Sequence, residues 1–311
     1  MQIYIHTLLA PPLRNRLLEG LGNGHTILFR EPEDSSETAR EKFTGSQWVL
    51  GNPPSEWLNA DSETLEFWQL DSAGFDKFST VNVQAKVANM GDWFARPCAE
   101  TIVGGLIAFF RGVDTLTVLK QQKTWVGHAL RPQLRLLDGQ KVVILGSGTI
   151  GKAIKEMLTG FRCEILTLAR SSPEAELHTK EELLAQLPTV DILISTLPGT
   201  ADRFVDQQVI DAMKPGSVYA NVGRGNTTDE AALIDALQRG HLSGAVLDVT
   251  ELEPLPEDHV LWTMPNVVLT QHTGGGQADE DSGKVAVFVR NCQALMEGKS
   301  IENQIDLTKG Y

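Results

Sequence analysis

Cysteine is nearly absent: Cys98, Cys163 and Cys292 are the only three in 311 residues, far apart and without a C-x-x-C pair. An odd, scattered set excludes a disulfide framework and a thiolate zinc site, and it is the usage of a reducing compartment. Basic residues are also scarce. The 27 Lys and Arg stand against 40 Asp and Glu, a formal charge of -13. The clustered cations of a nucleic-acid surface are therefore missing in bulk, although a local basic pocket fits within the acidic background. No apolar run approaches the roughly 20 residues of a bilayer span. The opening alternation Gln2-Ile3-Tyr4-Ile5-His6 lacks the basic segment and apolar stretch of a secretion signal. There is no internal repeat and no low-complexity tract. These absences predict a cytoplasmic chain with no nucleic-acid partner, no membrane partner and no metal.

What is present is a hydrophobic fraction of 41%, enough to fill real cores, on a length that suits two domains. Up to about Asn89, β-rich runs at Gln2–Thr7, Thr26–Arg30, Trp48–Gly51, Thr64–Leu70 and Val81–Ala88 alternate with helix-like segments. One of those segments carries Leu13, Leu17, Leu18 and Leu21 at helical spacing. This alternation predicts a small flavodoxin-like α/β domain with a parallel sheet. A long helix is expected from about Pro97 to Leu119. Its Gly104 and Gly105 would be explained by close packing against another helix, for example one of a second subunit. A polar arm with Trp125 follows to Leu137. Six strand candidates then come in order, at Lys141–Leu145, Glu164–Ala169, Val190–Leu197, Ser217–Val222, Gly244–Val249 and Val267–His272. Helical segments separate most of them. The clearest is Asp229–Arg239, read as opening on a Thr227-x-x-Glu230 capping box and closing at Gly240. The fold class is α/β: a doubly wound parallel-sheet Rossmann domain over 95–274, and a smaller domain from 1–94 joined by 275–311.

The first of those six strands ends in Gly146-Ser147-Gly148-Thr149-Ile150-Gly151 and a helix follows at once. In that context a G-x-G-x-x-G turn has a mechanism. Gly146 allows the tight bend, Gly148 lets backbone approach a pyrophosphate, and Gly151 lets the helix pack, with the helix N-terminus facing the phosphates. Past the second strand, where an acid would bond the ribose 2′-hydroxyl of NAD, stands Ala169-Arg170-Ser171-Ser172, and no acid occurs before Glu174. Arg170 and Ser171 can bind a 2′-phosphate instead, so NADP(H) is expected in preference, with NAD(H) left open.

Ligands of open α/β sheets bind beyond the carboxyl ends of the strands. The residues that follow strands four, five and six are Arg224, Glu253 and His272. Each alone has a plain structural reading: a surface ion pair, a turn cap, a core or surface histidine. Together they share one edge with the glycine turn. The blocks Asn221-Val222-Gly223-Arg224-Gly225, Asp248-Val249-x-x-x-Glu253-Pro254-Leu255-Pro256 and Leu269-Thr270-Gln271-His272 resemble the D-isomer-specific 2-hydroxyacid dehydrogenases. Leu261-Trp262 and Pro265-Asn266-Val267 resemble that family too, and so does Ser72-Ala73-Gly74-Phe75-Asp76, at its substrate loop.

The resemblance implies an oxidoreductase passing a hydride between a nicotinamide cofactor and a small 2-keto or 2-hydroxy acid. Glyoxylate and hydroxypyruvate are the preferred substrates; bulkier 2-keto acids, or a non-catalytic nicotinamide-sensing protein on the same scaffold, are the alternatives. It makes Arg224 the grip on the substrate carboxylate, His272 the proton donor to the 2-oxygen, and Glu253 the group that orients the imidazole. Ser72, Ala73 and Gly74 would join Arg224 and His272 in binding substrate. Leu197, Pro198, Val222, Gly223 and Asp248 would join the glycine turn, Arg170 and Ser171 in binding cofactor. Closure of the two domains, with hinges near Phe94–Pro97 and Thr273–Gly276, and a homodimer are expected, without a C-terminal regulatory domain. Three departures bear on substrate identity: Gln271 stands where the family has proline, Thr273-Gly274-Gly275-Gly276 follows the histidine, and Asn226-Thr227-Thr228 is unusually polar. The added glycine is expected to loosen the hinge or enlarge the pocket.

Overall fold

The computed structural model describes residues 1–309; positions 310 and 311, the end of the range expected for the smaller domain, lie outside the described residues. The chain divides into two compact units, Met1–Trp93 with the chain from Gln277 onward, and Phe94–Gly276.

The first unit contains β1 (Gln2–Ile5), α1 (Pro11–Leu21), β2 (Thr26–Phe29), α2 (Ser36–Phe43), β3 (Trp48–Leu50), α3 (Ser55–Ala60), β4 (Phe67–Gln69) and β5 (Lys86–Ala88). From the C-terminal part it gains α10 (Glu280–Met296) and β12 (Gln304–Ile305). Its sheet runs β12-β5-β4-β3-β1-β2, a parallel 2-1-3-4-5 order with β12 added antiparallel to β5. That is the flavodoxin-like arrangement. Alternation along the strands builds a core on each face. Ile3, Ile5, Leu50 and Phe67 pack with Leu17 of α1 and Phe288 of α10, while Tyr4, Val49 and Trp68 pack with Phe43 of α2 and Trp57 of α3.

The second unit holds α4 (Ala95–Arg111), α5 (Val113–Gln121), β6 (Lys141–Leu145), α6 (Thr149–Thr159), β7 (Glu164–Leu168), α7 (Lys180–Gln186), β8 (Ile192–Ser195), α8 (Gln207–Ala212), β9 (Val218–Asn221), α9 (Glu230–Gln238), β10 (Gly244–Leu247) and β11 (Val267–Leu269). The sheet is wholly parallel, in the order β11-β10-β9-β8-β6-β7. Val142 and Ile144 of β6 face α4 and α6, and Val143 and Leu145 face α7, α8 and α9. The order reverses at β6, so the turn that leaves it opens at the switch point of a doubly wound sheet.

Several expectations are corrected. The helix expected over 97–119 is two helices, α4 and α5, bent by 70°. Gly112 sits between them with a φ of 63°, a left-handed stop that glycine adopts freely. Gly105 abuts Val246 of β10 rather than another helix. Thr227 does not cap α9. Asp229 does, accepting from Ala232 N–H at 3.1 Å, while Thr227 Oγ1 donates to the Arg224 carbonyl. The strands are shorter than their apolar runs, and the residues left over at their carboxyl ends form the loops of the site. Among the described residues no single helix is long and apolar enough to cross a membrane. No group of three or more His, Cys, Asp or Glu among them is placed to hold a metal ion.

Candidate active site

At the end of β6, Gly146 has a φ of 107°, and a Cβ there would lie 2.5 Å from Thr196 Oγ1. Gly151 faces the Gly146 carbonyl so closely that any side chain would collide with it. Both glycines therefore close the turn on itself and on the loop after β8. Gly148 is different: it is the N-cap of α6, it makes no side-chain cap bond, and a Cβ on it would enter open space. The N–H groups of the first helical turn are left for an external anion, with no side chain in the approach. Ser147 and Ile150 are half-buried beside it and Thr149 is exposed. This cradle fits the pyrophosphate of a dinucleotide.

Arg170 and Ser171 lie exposed just past β7. The nearest acids in sequence are already neutralised, Glu174 by Lys152 at 2.9 Å and Glu176 by Lys155 at 2.8 Å. Among the described residues Arg170 has no carboxylate partner, so its charge is available to a ligand. His178 Nδ1–H donates to the Ala169 carbonyl at 2.9 Å and anchors this strand end.

The loops after β8, β9 and β10 are laced together by glycines. Gly223 lies against the Leu197 backbone, and Gly225 lies against the Thr250 carbonyl with no room for a Cβ. Leu197 and Val222 are buried, and Pro198 and Arg224 are half-buried. The Arg224 loop is further pinned by Asn221, whose Nδ2 donates to the Arg224 carbonyl at 3.1 Å and whose Oδ1 accepts from Gly223 N–H at 2.9 Å. Arg224 Nη1 donates to the Gly223 carbonyl at 2.9 Å. A continuous chain of backbone contacts thus runs from the glycine turn through Thr196, Leu197 and Gly223 to Arg224 and Thr250, three residues before Glu253.

Glu253 and His272 meet. The carboxylate can only accept, so His272 Nδ1–H donates to Glu253 Oε2, at 2.6 Å, which leaves Nε2 as the nitrogen able to exchange a proton. The other carboxylate oxygen accepts Thr250 N–H at 3.0 Å. The His272 side chain is 50% exposed and that of Glu253 35%, so the pair is open to a ligand on one side and held on the other. Gln271 and His272 both have positive φ, 56° and 55°. Proline cannot reach that angle, so the absence of the family's proline goes with a different local turn.

Asp248, 3% exposed, organises that turn. Its Oδ1 accepts from Thr270 Oγ1 at 2.7 Å and from Thr273 and Gly274 N–H at 3.0 Å each, and its carbonyl accepts His272 N–H. Gly274 is required there, because a Cβ would stand 2.6 Å from Asp248 Oδ2. Gly274 is thus tied to Asp248 through its N–H. The Asp248 carboxylate holds this turn at the strand end where sequence places a cofactor contact. Thr273 and Asn221 were not singled out for these roles; the one cue to Asn221 was its place in the block around Arg224. In the first unit, Ser72 Oγ donates to the Gly74 carbonyl at 2.8 Å and accepts from Asn52 Nδ2 at 3.1 Å. The Ala73 carbonyl accepts Asn89 Nδ2 at 2.6 Å. That loop is ordered by its own contacts.

Residues 103–274 match the family model described as D-isomer specific 2-hydroxyacid dehydrogenase, NAD binding domain. The chain is 32% identical to a glyoxylate/hydroxypyruvate reductase A of Arabidopsis thaliana, over 96% of this chain and 97% of that protein. It is 31% identical to a hydroxyphenylpyruvate reductase of Plectranthus scutellarioides, over 81% of this chain and 83% of that protein. Among solved structures, it resembles an NADPH-dependent glyoxylate/hydroxypyruvate reductase of Sinorhizobium meliloti crystallised with citrate. The TM-score is 0.79 and the identity 26%, over 99% of this chain and 98% of that chain.

Proposed function

The chain belongs to the D-isomer-specific 2-hydroxyacid dehydrogenases, and from that premise we propose that it reduces glyoxylate or hydroxypyruvate to the D-2-hydroxy acid with NADPH. The observation that carries the chemistry is the imidazole of His272 held through Nδ1 by Glu253, beyond the same strand ends as Arg224 and the glycine turn. In the forward direction protonated His272 gives its Nε2 proton to the substrate's 2-oxygen, and in reverse the neutral ring takes it back. Glu253 fixes which nitrogen is free and opposes the charge that the ring carries. Arg224 binds the substrate carboxylate through its guanidinium fork and draws electron density from the 2-carbonyl. The dinucleotide, when bound, supplies the hydride to the 2-carbon. Gly146, Ser147, Gly148, Thr149, Ile150 and Gly151 hold its pyrophosphate. Leu197, Pro198, Val222, Gly223 and Asp248 would contact it beyond the strand ends. Ser72, Ala73 and Gly74 are assigned as a second substrate-contacting loop.

NADPH is assigned because Arg170 lacks a carboxylate partner and no acid stands where the ribose 2′-hydroxyl would be read. The relative from Plectranthus favours a second reading, a reductase of bulkier 2-keto acids. We place the enzyme in a reducing compartment, the cytoplasm, since its three cysteines are all free thiols, and we assign it as a homodimer.

The test is a steady-state panel of glyoxylate, hydroxypyruvate and 4-hydroxyphenylpyruvate with NADPH and NADH, run on wild type and His272→Ala. We expect the two small acids to have the highest kcat/KM. His272→Ala should lose at least ~100-fold in kcat and keep cofactor affinity. Preference for the aromatic acid would shift the assignment to the second reading. No turnover on any acid would point to a nicotinamide-sensing protein, and near-normal turnover in His272→Ala would remove it as the proton donor.

A further inference from the structure

A second glutamate–histidine pair lies behind the first. Glu230, the opening residue of α9, has a side chain only 12% exposed, and its Oε1 stands 3.3 Å from His259 Nε2. Its Oε2 accepts Glu251 N–H at 3.0 Å. His259 Nδ1 accepts Leu261 N–H at 3.4 Å. The backbone thus engages Nδ1, and Nε2 is the nitrogen that lies within ion-pair range of Glu230. One carboxylate oxygen of Glu230 thus holds the backbone of the turn that carries Glu253, and the other lies beside the imidazole. The far end of the same turn is held at the Pro256 carbonyl, which accepts His259 N–H at 3.0 Å and Trp262 Nε1–H at 2.8 Å. Of the neighbouring acids, Asp229 and Glu251 are both bridged by Arg203, at 3.5 and 3.1 Å; Glu257 and Asp258 directly precede His259 in the chain.

We propose that Glu230 and His259 are positioning residues that hold the 250–256 turn so that Glu253 aims His272. The helix α9 is fixed by its packing in the unit's core, through Ala232, Leu233, Ala236 and Leu237. Glu230 transmits that position to Glu251, two residues before Glu253, and His259 ties the exit of the turn to the same carboxylate. Neither residue reaches the reacting atoms; each acts through Glu253. Misplacement of a catalytic group by about 1 Å can cost on the order of 100-fold in rate, so slack in this turn should appear in kcat. The inference rests on the reading of Glu253 and His272 given above.

Five variants test it: Glu230→Gln, His259→Leu, His259→Gln, Glu253→Gln and the double variant Glu230→Gln/Glu253→Gln. Kinetics use glyoxylate and NADPH, and each protein's thermal midpoint is measured. We expect His259→Leu and Glu230→Gln to lower kcat roughly 10-fold with the KM for NADPH unchanged. His259→Gln keeps a polar side chain with an N–H group beside Glu230 and should recover to within about 2-fold of wild type. In the Glu253→Gln background, Glu230→Gln should cost no further activity, since residues acting through one group are non-additive. Glu230→Gln is nearly isosteric, so the cycle stands even if His259→Leu folds poorly. An intact kcat in Glu230→Gln, an additive loss in the double variant, or a glutamine at 259 no better than leucine would overturn the brace. An intact kcat in Glu253→Gln would instead sink the reading of the first pair, and the brace with it.

Discussion

Arg170 tests how far a single charge sets the cofactor. It follows β7 with no carboxylate partner, and its acidic neighbours Glu174 and Glu176 are tied to Lys152 and Lys155. A guanidinium left in this state pairs well with a phosphate dianion, whereas a carboxylate there would repel it. Arg170→Asp should lower the ratio of kcat/KM for NADPH to that for NADH by roughly 10- to 100-fold, measured on one keto acid. An unchanged ratio would make Arg170 a solvated strand-end residue. At this scale the site was largely readable from the order of residues. Arg224, Glu253 and His272 follow consecutive strands, and strand ends share an edge. The Glu253–His272 hydrogen bond follows from that placement. The tasks of Asp248, Asn221, Glu230 and His259 were not readable, because they depend on which backbone N–H each side chain finds after the loops have folded. Nothing in a sequence spacing marks the Thr273 and Gly274 N–H groups as the partners of Asp248.

Elements were legible where a period repeats and illegible where one residue interrupts it. All six strands of the second unit stand within the expected runs; the inner strands β6, β8, β9 and β10 are buried along most of their length and read as continuous apolar stretches. The long helix was misjudged. Its apolar positions continue past Gly112, and only the left-handed φ of that residue turns α4 into α5. The paired glycines of α4 are equally instructive. One reason was expected to serve for both, yet Gly105 lies against Val246 while Gly104 faces open space. Their alanine variants should differ in sign. Gly105→Ala forces a methyl into a β-branched neighbour on a rigid strand and should destabilise by about 1–3 kcal/mol. Gly104→Ala adds helix propensity without a clash and should stabilise by about 0.5–1 kcal/mol. Urea unfolding of the two proteins side by side decides it; equal shifts would mean that the Val246 contact does not constrain the helix.

For the molecule as a whole, the segment after α4 carries an unusual concentration of exposed apolar residues. None of the nine residues of α5 is buried. Leu116, Val118 and Trp125 are 44%, 52% and 95% exposed, and Leu136 is 59% exposed. The largest cores of the second unit lie on the two faces of its sheet and leave this segment outside them. A chain of net charge -13 has self-repulsion to keep its copies apart. Association therefore needs a surface that excludes water without bringing carboxylates together, and the apolar residues of 113–136 offer one. If the enzyme is the homodimer we assign, light scattering at micromolar concentration should give twice the 34.0 kDa of one chain. The triple variant Leu116→Glu/Val118→Glu/Trp125→Ser should return the mass to a single chain at low salt. High salt should restore little, because the new carboxylates must be desolvated as well as screened. A wild-type mass of one chain would refute the assignment, and a dimer that survives the triple variant would put its interface on another face.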